Sequence, residues 1–192
     1  NAGTVQTQGD MSLRSNFVRT GYNLDGTGVK IAVISNSFDT KDGQADADIA
    51  NGDLPSTGVT LVDNKDFTGE ASDEGRAMLQ IIHDVAPGAE LYFRTGYISP
   101  ADMAQGIRNM ADLGIDIIVD DITYITQPFF EDGILAQAVD YAKSKGVSYF
   151  VSAGNFGSAS FTAQFDAAAD PTDPSRQAHQ FVPGDIYQNI VL

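Results

Sequence analysis

The chain has 192 residues, of which 42% are hydrophobic, enough for one domain with a sizeable core. Its net charge of −15 excludes nucleic acid and anionic membranes as partners, because binding phosphate groups requires clustered positive charge. The absence of cysteine from the sequence excludes disulfides and cysteine-based metal or nucleophile sites. No apolar run reaches the ~18–20 residues of a membrane span.

The first third of the sequence predicts a helix and two strands. Residues 10–20 are typical of a short helix with Asp10 as its N-cap. The β-branched run at residues 29–34 indicates a strand covered on both faces. Residues 39–54 predict an acidic loop, and residues 59–62 predict a second short strand.

A longer helix is predicted to begin at Ser72 and to end at the Ala86-Pro87-Gly88 segment. Its apolar residues recur at i, i+3, i+4 and i+7, which indicates one core-facing stripe. The stripe consists of Met78, Ile81, Ile82 and Val85.

The following residues repeat the alternation of strand and helix. The predicted strands are residues 90–93, 117–119 and 147–151. The predicted helices are residues 99–113, opened by Ser99 and Pro100, and 131–145. This order predicts an α/β fold, a doubly wound, mostly parallel sheet with helices on both faces.

The character of the sequence changes after Gly157. Residues 161–180 are rich in Ala, Asp, Pro and Ser and predict a linker. Residues 181–192 predict the first strand or strands of an incomplete β-rich insertion, because a lone terminal strand cannot bury its faces unaided.

Polar residues follow three of the predicted strands. Ser35 follows the first strand, Asp120 and Asp121 follow residues 117–119, and Asn155 follows the last core strand. Ligands of parallel sheets bind outside the carboxyl ends of the strands, so these side chains are candidate site residues. The amide of Asn155 is suited to donating a hydrogen bond to an oxyanion. Asp120 and Asp121 could instead cap a loop or bind a cation.

Glu74 lies on the predicted stripe, one turn before Met78, in the first turn of its helix. It is therefore a candidate to join the same site. The alternative is that Glu74 only complements the positive end of the helix dipole.

Four segments in the same order resemble the subtilisin-like serine peptidases. They are Gly26 to Ile34, Ala86 to Tyr92, Gly114 to Val119, and Ser152 to Gly157. The resemblance implies that residues 1–160 are the N-terminal part of a subtilase-like catalytic domain. It implies a polypeptide substrate, a secreted or extracytoplasmic location, and the remainder of the same catalytic domain as partner.

The resemblance also assigns roles to individual residues. Glu74 falls on the catalytic histidine of the family, Ser35 on its aspartate and Asn155 on its oxyanion asparagine. Sedolisins, which share the fold, use a glutamate paired with an aspartate one helical turn later. Here Met78 occupies that turn, and Asp121 is predicted to take the part of the aspartate. The implied substrate-binding residues are Ile122, Thr123, Tyr124 and Gly154; the alternative for residues 122–125 is a strand continuing into the core.

The nucleophilic serine of the family lies in a Gly-Thr-Ser segment, and the sequence contains no Gly-Thr-Ser. The resemblance therefore implies a Glu/Asp-assisted serine endopeptidase whose serine lies outside this chain. Two alternatives stay open. One is a catalytically inactive protein-binding module of the same fold, and the other is a flavodoxin-like nucleotide or receiver domain.

No cofactor is predicted, although four aspartates could gather calcium: Asp39, Asp42, Asp46 and Asp48. Their spacing matches no EF-hand loop, and a solvated acidic loop is the alternative. The two histidines, His83 and His179, match no catalytic position, and His83 is predicted to be structural.

Overall fold

The computed structural model describes residues 3–4, 6–41, 43–69, 71–157 and 163–187. It divides into two units, Asn1–Ala153 and Gly154–Leu192.

The first unit is built on a parallel sheet. Its described strands are ordered β2-β3-β1-β4-β5, and all pairs are parallel. The strands are β1 Lys30–Ser35, β2 Thr60–Leu61, β3 Glu90–Thr95, β4 Ile117–Asp120 and β5 Ser148–Val151. The five strands predicted between residues 29 and 151 are all present, and β1 lies at the centre between β3 and β4.

Helices connect the strands, as parallel pairing requires. They are α1 Gly9–Ser12, α2 Ser15–Tyr22, α3 Gln44–Asn51, α4 Glu74–Val85, α5 Pro100–Asp112 and α6 Ile134–Ser144; a 3-10 turn spans Val62–Asn64. The predicted start of α5 is confirmed, because Ser99 Oγ accepts a hydrogen bond from the Asp102 N–H at 3.1 Å. The last helix begins at Ile134, three residues later than the predicted start.

Two apolar clusters cover the two faces of the sheet. Side chains alternate along a strand, so Ala32 and Ile34 of β1 belong to one cluster while Ile31 and Val33 belong to the other. The first cluster includes buried residues of α5 and α6, and the second includes residues of α3 and α4. The predicted doubly wound α/β class with helices on both faces is confirmed.

The predicted acidic loop at residues 39–54 is wrong, because α3 lies within it. Ala45 is buried on this helix and Ile49, four residues later, packs against the same core. The acidic side chains are accommodated by Arg76, which contacts Asp39 at 3.7 Å and Asp48 at 3.2 Å. This neutralisation comes from a different helix and is invisible to local periodicity.

The predicted helix over residues 10–20 is interrupted. Arg14 has a left-handed conformation (φ 60°) between α1 and α2. Asp10 is not the N-cap, since it lies within α1 and its buried carboxylate accepts hydrogen bonds from Ser15 and Arg19. A tertiary ion pair therefore replaces the predicted local cap.

The second unit contains a two-stranded antiparallel hairpin, β6 Ala167–Ala169 and β7 Gln177–His179. Both strands lie within residues 161–180, the segment predicted as a linker. Beyond them, an isolated bridge joins Val182 and Asp185. Residues 188–192 lie outside the described residues, and the β-rich insertion stays a prediction.

Candidate active site

The carboxyl ends of β1 and β4 bring two predicted site residues together. Ser35 is the last residue of β1, and Asp121 directly follows β4. The buried Ser35 Oγ donates a hydrogen bond to Asp121 Oδ2 at 3.0 Å. Because β1 and β4 are neighbouring parallel strands, residues 86 positions apart in sequence meet at one edge.

Glu74 is the first residue of α4, and its side chain is exposed. Its backbone N–H donates to Asn36 Oδ1 at 3.1 Å, so the start of α4 is attached to the residue after β1. Its negative charge acts on Asp121. Burial raises the pKa of Asp121, the hydrogen bond from Ser35 lowers it, and the nearby Glu74 raises it further. Ser35, Glu74 and Asp121 therefore lie in one neighbourhood.

The remaining oxygen of Asp121 has no hydrogen-bond partner among the described residues. This oxygen, Oδ1, is buried, whereas Oδ2 is occupied by Ser35. A buried unpaired carboxylate oxygen is costly when ionised. Protonation of Oδ1 removes part of this cost, which agrees with the raised pKa of Asp121.

The predicted core-facing stripe of α4 is only partly right: Met78 and Ile82 pack against the core, but the most buried face lies beside them. The buried residues of this helix are Gly75, Leu79 and His83, whereas Ile81 is 50% exposed. Glu74 consequently lies beside the buried stripe rather than on it. The buried face is set by Phe93 of β3, against which a Cβ at position 75 would lie at only 2.2 Å. Burial lowers the pKa of His83, in agreement with its predicted structural role.

The two neighbouring aspartates have different partners. Asp120 is buried; its Oδ2 accepts a hydrogen bond from Tyr149 Oη at 2.5 Å and its Oδ1 accepts one from the Ile122 N–H at 3.1 Å. Burial raises the pKa of Asp120 to about 6. Burial and the adjacent Asp120 carboxylate also raise the pKa of Tyr149. Loop capping was the alternative considered for Asp120 and Asp121. Asp120 has this role, because it accepts the hydrogen bond from the Ile122 N–H.

The segment after β4 does not continue as a strand, which excludes one of the two alternatives for residues 122–125. Ile122 and Tyr124 are half-buried and Thr123 is exposed. Tyr124 Oη donates to the Gly96 carbonyl at 2.5 Å, so this segment is attached to the residue after β3. The assignment of residues 122–124 to substrate binding stays a prediction.

Gly154 and Asn155 belong to the second unit, and both are exposed. Gly154 has φ +70°, a left-handed conformation that glycine adopts without the penalty of a Cβ. That Asn155 lies close to Ser35, Glu74 and Asp121 stays a prediction.

No cluster of three or more His, Asp or Glu residues suited to a metal ion is found in the described part of the chain. Asp39 and Asp48 of the predicted calcium set are engaged with Arg76, and Asp42 lies outside the described residues. The described helices include none that is both long and apolar enough to cross a membrane.

Residues 36, 37 and 73 also belong to this edge, although sequence reasoning did not select them. Asn36 and Ser37 follow β1, and Asp73 directly precedes Glu74. Ser37 Oγ donates to Asp73 Oδ1 at 2.7 Å. The only sequence signal for Asp73 was its position next to a candidate residue at a helix start.

The fold is shared with solved proteases. No family model and no curated protein matches the sequence. MycP1 with its N-terminal propeptide removed matches with a TM-score of 0.55 and 21% identity, over 86% of this chain and 53% of MycP1. A lanthipeptide protease matches with a TM-score of 0.53 and 22% identity, over 74% of this chain and 44% of the protease. The chain has a subtilase-like fold.

A second structure of MycP1, from the ESX-1 type VII secretion system, matches the subtilase-like fold of this chain with a TM-score of 0.52 and 18% identity. That match covers 91% of this chain and 51% of MycP1. The chain thus spans about half the length of the structures it resembles. The resemblance established here is one of fold.

Proposed function

We propose that the chain is the N-terminal part of a serine endopeptidase in which two carboxyl groups replace the usual histidine and aspartate. The proposal is supported above all by the hydrogen bond of 3.0 Å between Ser35 and Asp121, next to the charge of Glu74. The nucleophilic serine comes from polypeptide outside this chain. The substrate is a polypeptide, and the location is secreted or extracytoplasmic.

In the proposed reaction, the serine oxygen attacks the carbonyl carbon of the scissile peptide bond and its proton passes to Glu74. Glu74 then returns the proton to the leaving amine as the acyl-enzyme forms, and water completes hydrolysis. Asn155 donates a hydrogen bond to the oxyanion. Residues 122–124 and Gly154 bind the substrate backbone.

Asp121 shares a proton with Glu74 and thereby holds the Glu74 carboxyl group in place. The other Asp121 oxygen accepts the hydrogen bond from Ser35. The raised pKa of Asp121 has a direct consequence for the pH profile. The proton stays on the carboxyl pair to higher pH than on an isolated aspartate, and it is lost as the pH rises further. Activity is therefore expected on the acidic side and declines towards neutral pH.

The test uses the protein together with the polypeptide that supplies the serine. It is incubated with casein, and separately with a fluorophosphonate probe, from about pH 3 to about pH 8. We expect turnover and labelling below about pH 6, with a decline above it. Glu74→Gln is expected to lower kcat/KM by about 100-fold or more, because it removes the general base.

Glu90→Gln is the matched control, since Glu90 is an exposed glutamate at the opposite end of the parallel strands. It should leave kcat/KM within about twofold of the unsubstituted protein. Full activity in the Glu74→Gln variant would remove Glu74 from the mechanism. The complete absence of labelling at every pH would favour the inactive protein-binding module, which the altered positions 35 and 74 also allow.

A further inference from the structure

A buried carboxylate next to Glu74 is not used by the proposed reaction. The Asp73 side chain is 0% exposed, although ionised groups are rarely buried without compensation. Its Oδ1 accepts hydrogen bonds from Ser37 Oγ at 2.7 Å, from Thr40 Oγ1 at 2.6 Å and from the Thr40 N–H at 2.9 Å. Its Oδ2 accepts one from the Lys41 N–H at 3.1 Å and lies 3.6 Å from Arg76 Nη2.

These contacts favour the ionised form of Asp73. Burial acts to raise its pKa, but the hydrogen bonds from Thr40 and Ser37 outweigh burial and hold the pKa below its usual value. The hydrogen bonds are charge-assisted and hence stronger than those between neutral groups. Asp73 therefore attaches the loop after β1 firmly to the residue that precedes α4.

The backbone at this position is constrained from both sides. Asp73 has a left-handed conformation with φ 56°, which is uncommon for a residue other than glycine and requires support from its surroundings. The Asp73 N–H donates to Ser37 Oγ at 2.9 Å, and the Gly75 N–H donates to the Ser37 carbonyl at 3.1 Å. Glu74 lies between these two attached residues.

The same loop carries the other partner of the site. Ser35, which binds Asp121, is two residues before Ser37, which binds Asp73. The Glu74 side chain is exposed, so its location depends on the backbone beneath it. The loop thus links the position of Glu74 to the position of the Ser35–Asp121 pair.

We infer that Asp73 is a positioning residue that holds the Glu74 backbone in register with Ser35 and Asp121. This inference rests on the proposed function, since it assigns Asp73 an effect exerted through Glu74. A displacement of about 1 Å at a reacting group can cost a hydrolase about 100-fold in rate. Loss of the Asp73 attachment should accordingly lower kcat with little change in KM.

The experiment is a double-substitution cycle on the full-length protein. Asp73→Asn keeps the side-chain shape but places an amide against the Lys41 N–H or the Thr40 donors. We expect it to lower kcat by about 10- to 100-fold with Glu74 present. In the Glu74→Gln background the same substitution should lower residual kcat by less than about twofold, because there is no base left to misplace.

A control separates positioning from loss of stability. Asp10→Asn removes another buried, hydrogen-bonded carboxylate, whose partner Arg19 donates to the Val85 carbonyl at the end of α4 opposite to Glu74. Its effect on kcat, whatever its size, should be equal in both backgrounds. If Asp73→Asn does not fold, Thr40→Val removes one donor to Asp73 Oδ1, and it should lower kcat about two- to fivefold only when Glu74 is present.

Equal losses from Asp73→Asn, or from Thr40→Val, in both backgrounds would overturn the inference while leaving the proposed function intact. A normal kcat for Asp73→Asn with Glu74 present would overturn it as well. Full activity in Glu74→Gln alone would instead overturn the proposed function, so the two failures are distinguishable.

Discussion

At the scale of single residues, Asp120 and Asp121 show how neighbouring aspartates acquire different chemistry. They follow one another at the end of β4, and side chains of successive strand residues point to opposite faces. Asp120 is enclosed by Tyr149 and the Ile122 N–H, whereas Asp121 meets Ser35. The sequence placed both at the carboxyl edge of the sheet, but their partners come from different strands.

The raised pKa of Asp120 predicts a pH-dependent stability. Its folded pKa is about 6 and its usual value is 3.8, so the folded state binds the proton more tightly than the unfolded state. The contribution of Asp120 to the free energy of unfolding is therefore fully present below about pH 4, and it is lost as the pH rises through about 6. Asp120→Asn imitates the protonated form and should raise the free energy of unfolding at pH 7.5 by up to about 3 kcal/mol.

Urea unfolding of the variant and the unsubstituted chain at several pH values measures this difference, which should shrink to near zero at about pH 4. Tyr149→Phe provides the control, because the hydrogen bond from Tyr149 lowers the pKa of Asp120. Loss of this hydrogen bond should move the pH at which stability declines to a value above about 6. If the free energy of unfolding of Asp120→Asn differs from that of the unsubstituted chain by the same amount at every pH, the assignment is contradicted.

At the scale of elements, α4 shows that the buried face of a helix depends on what it packs against. Two members of the predicted apolar stripe, Met78 and Ile82, pack against the core, whereas Ile81 is exposed. The buried residues of the helix are Gly75, Leu79 and His83. The close approach at Gly75 decides the orientation, since its missing side chain lets Phe93 and the Ser37 carbonyl approach. Periodicity alone does not recognise a glycine as the centre of a contact face.

Gly75→Ala tests this packing. The new Cβ would lie 2.2 Å from Phe93 Cε2 and 2.8 Å from the Ser37 carbonyl oxygen, so either the ring or the backbone must move. We expect a loss of about 1–3 kcal/mol in the free energy of unfolding, measured with urea. The variant should also lower activity, because the displaced helix start carries Glu74.

Gly21→Ala is the matched control for this substitution. Gly21 is an exposed residue of α2, and its added Cβ would meet nothing within 4 Å. The change should raise stability by about 0.5–1 kcal/mol, because alanine has the higher helix propensity. If both variants change stability equally, the crowding at Gly75 does not determine the packing of α4.

At the scale of the whole molecule, β5 is an edge strand of the sheet that the structure describes in the first unit. Among the described strands, β5 pairs with β4 alone, and Phe150 and Val151 on β5 are 57% and 63% exposed. Parallel sheets are normally covered on both faces, and an apolar edge is a template for pairing with another chain. The net charge of −15 opposes such association but is screened by salt.

We therefore expect the 192-residue chain to self-associate through β5 in a concentration-dependent manner at about 0.15 M salt. Val151→Lys should reduce this association, because a charged edge resists strand pairing. Analytical ultracentrifugation over a range of concentrations measures the effect. Thr60→Lys, at an exposed position of β2 on the opposite edge, is the control and should change little. A chain that is monomeric at all concentrations would contradict this expectation.

The sequence by itself determined the five strands of the parallel sheet, its doubly wound class and the edge of the sheet where polar residues collect; it did not predict the hairpin of β6 and β7. These features depend on local patterns: β-branched runs, strand ends, and caps such as Ser99. Only the tertiary structure decided that α3 forms within an acidic segment, that α4 buries Gly75, and that Asp73 is held by Ser37 and Thr40. The physical reason is that these outcomes depend on partners distant in sequence, whose approach compensates charge or fills space that no local pattern records.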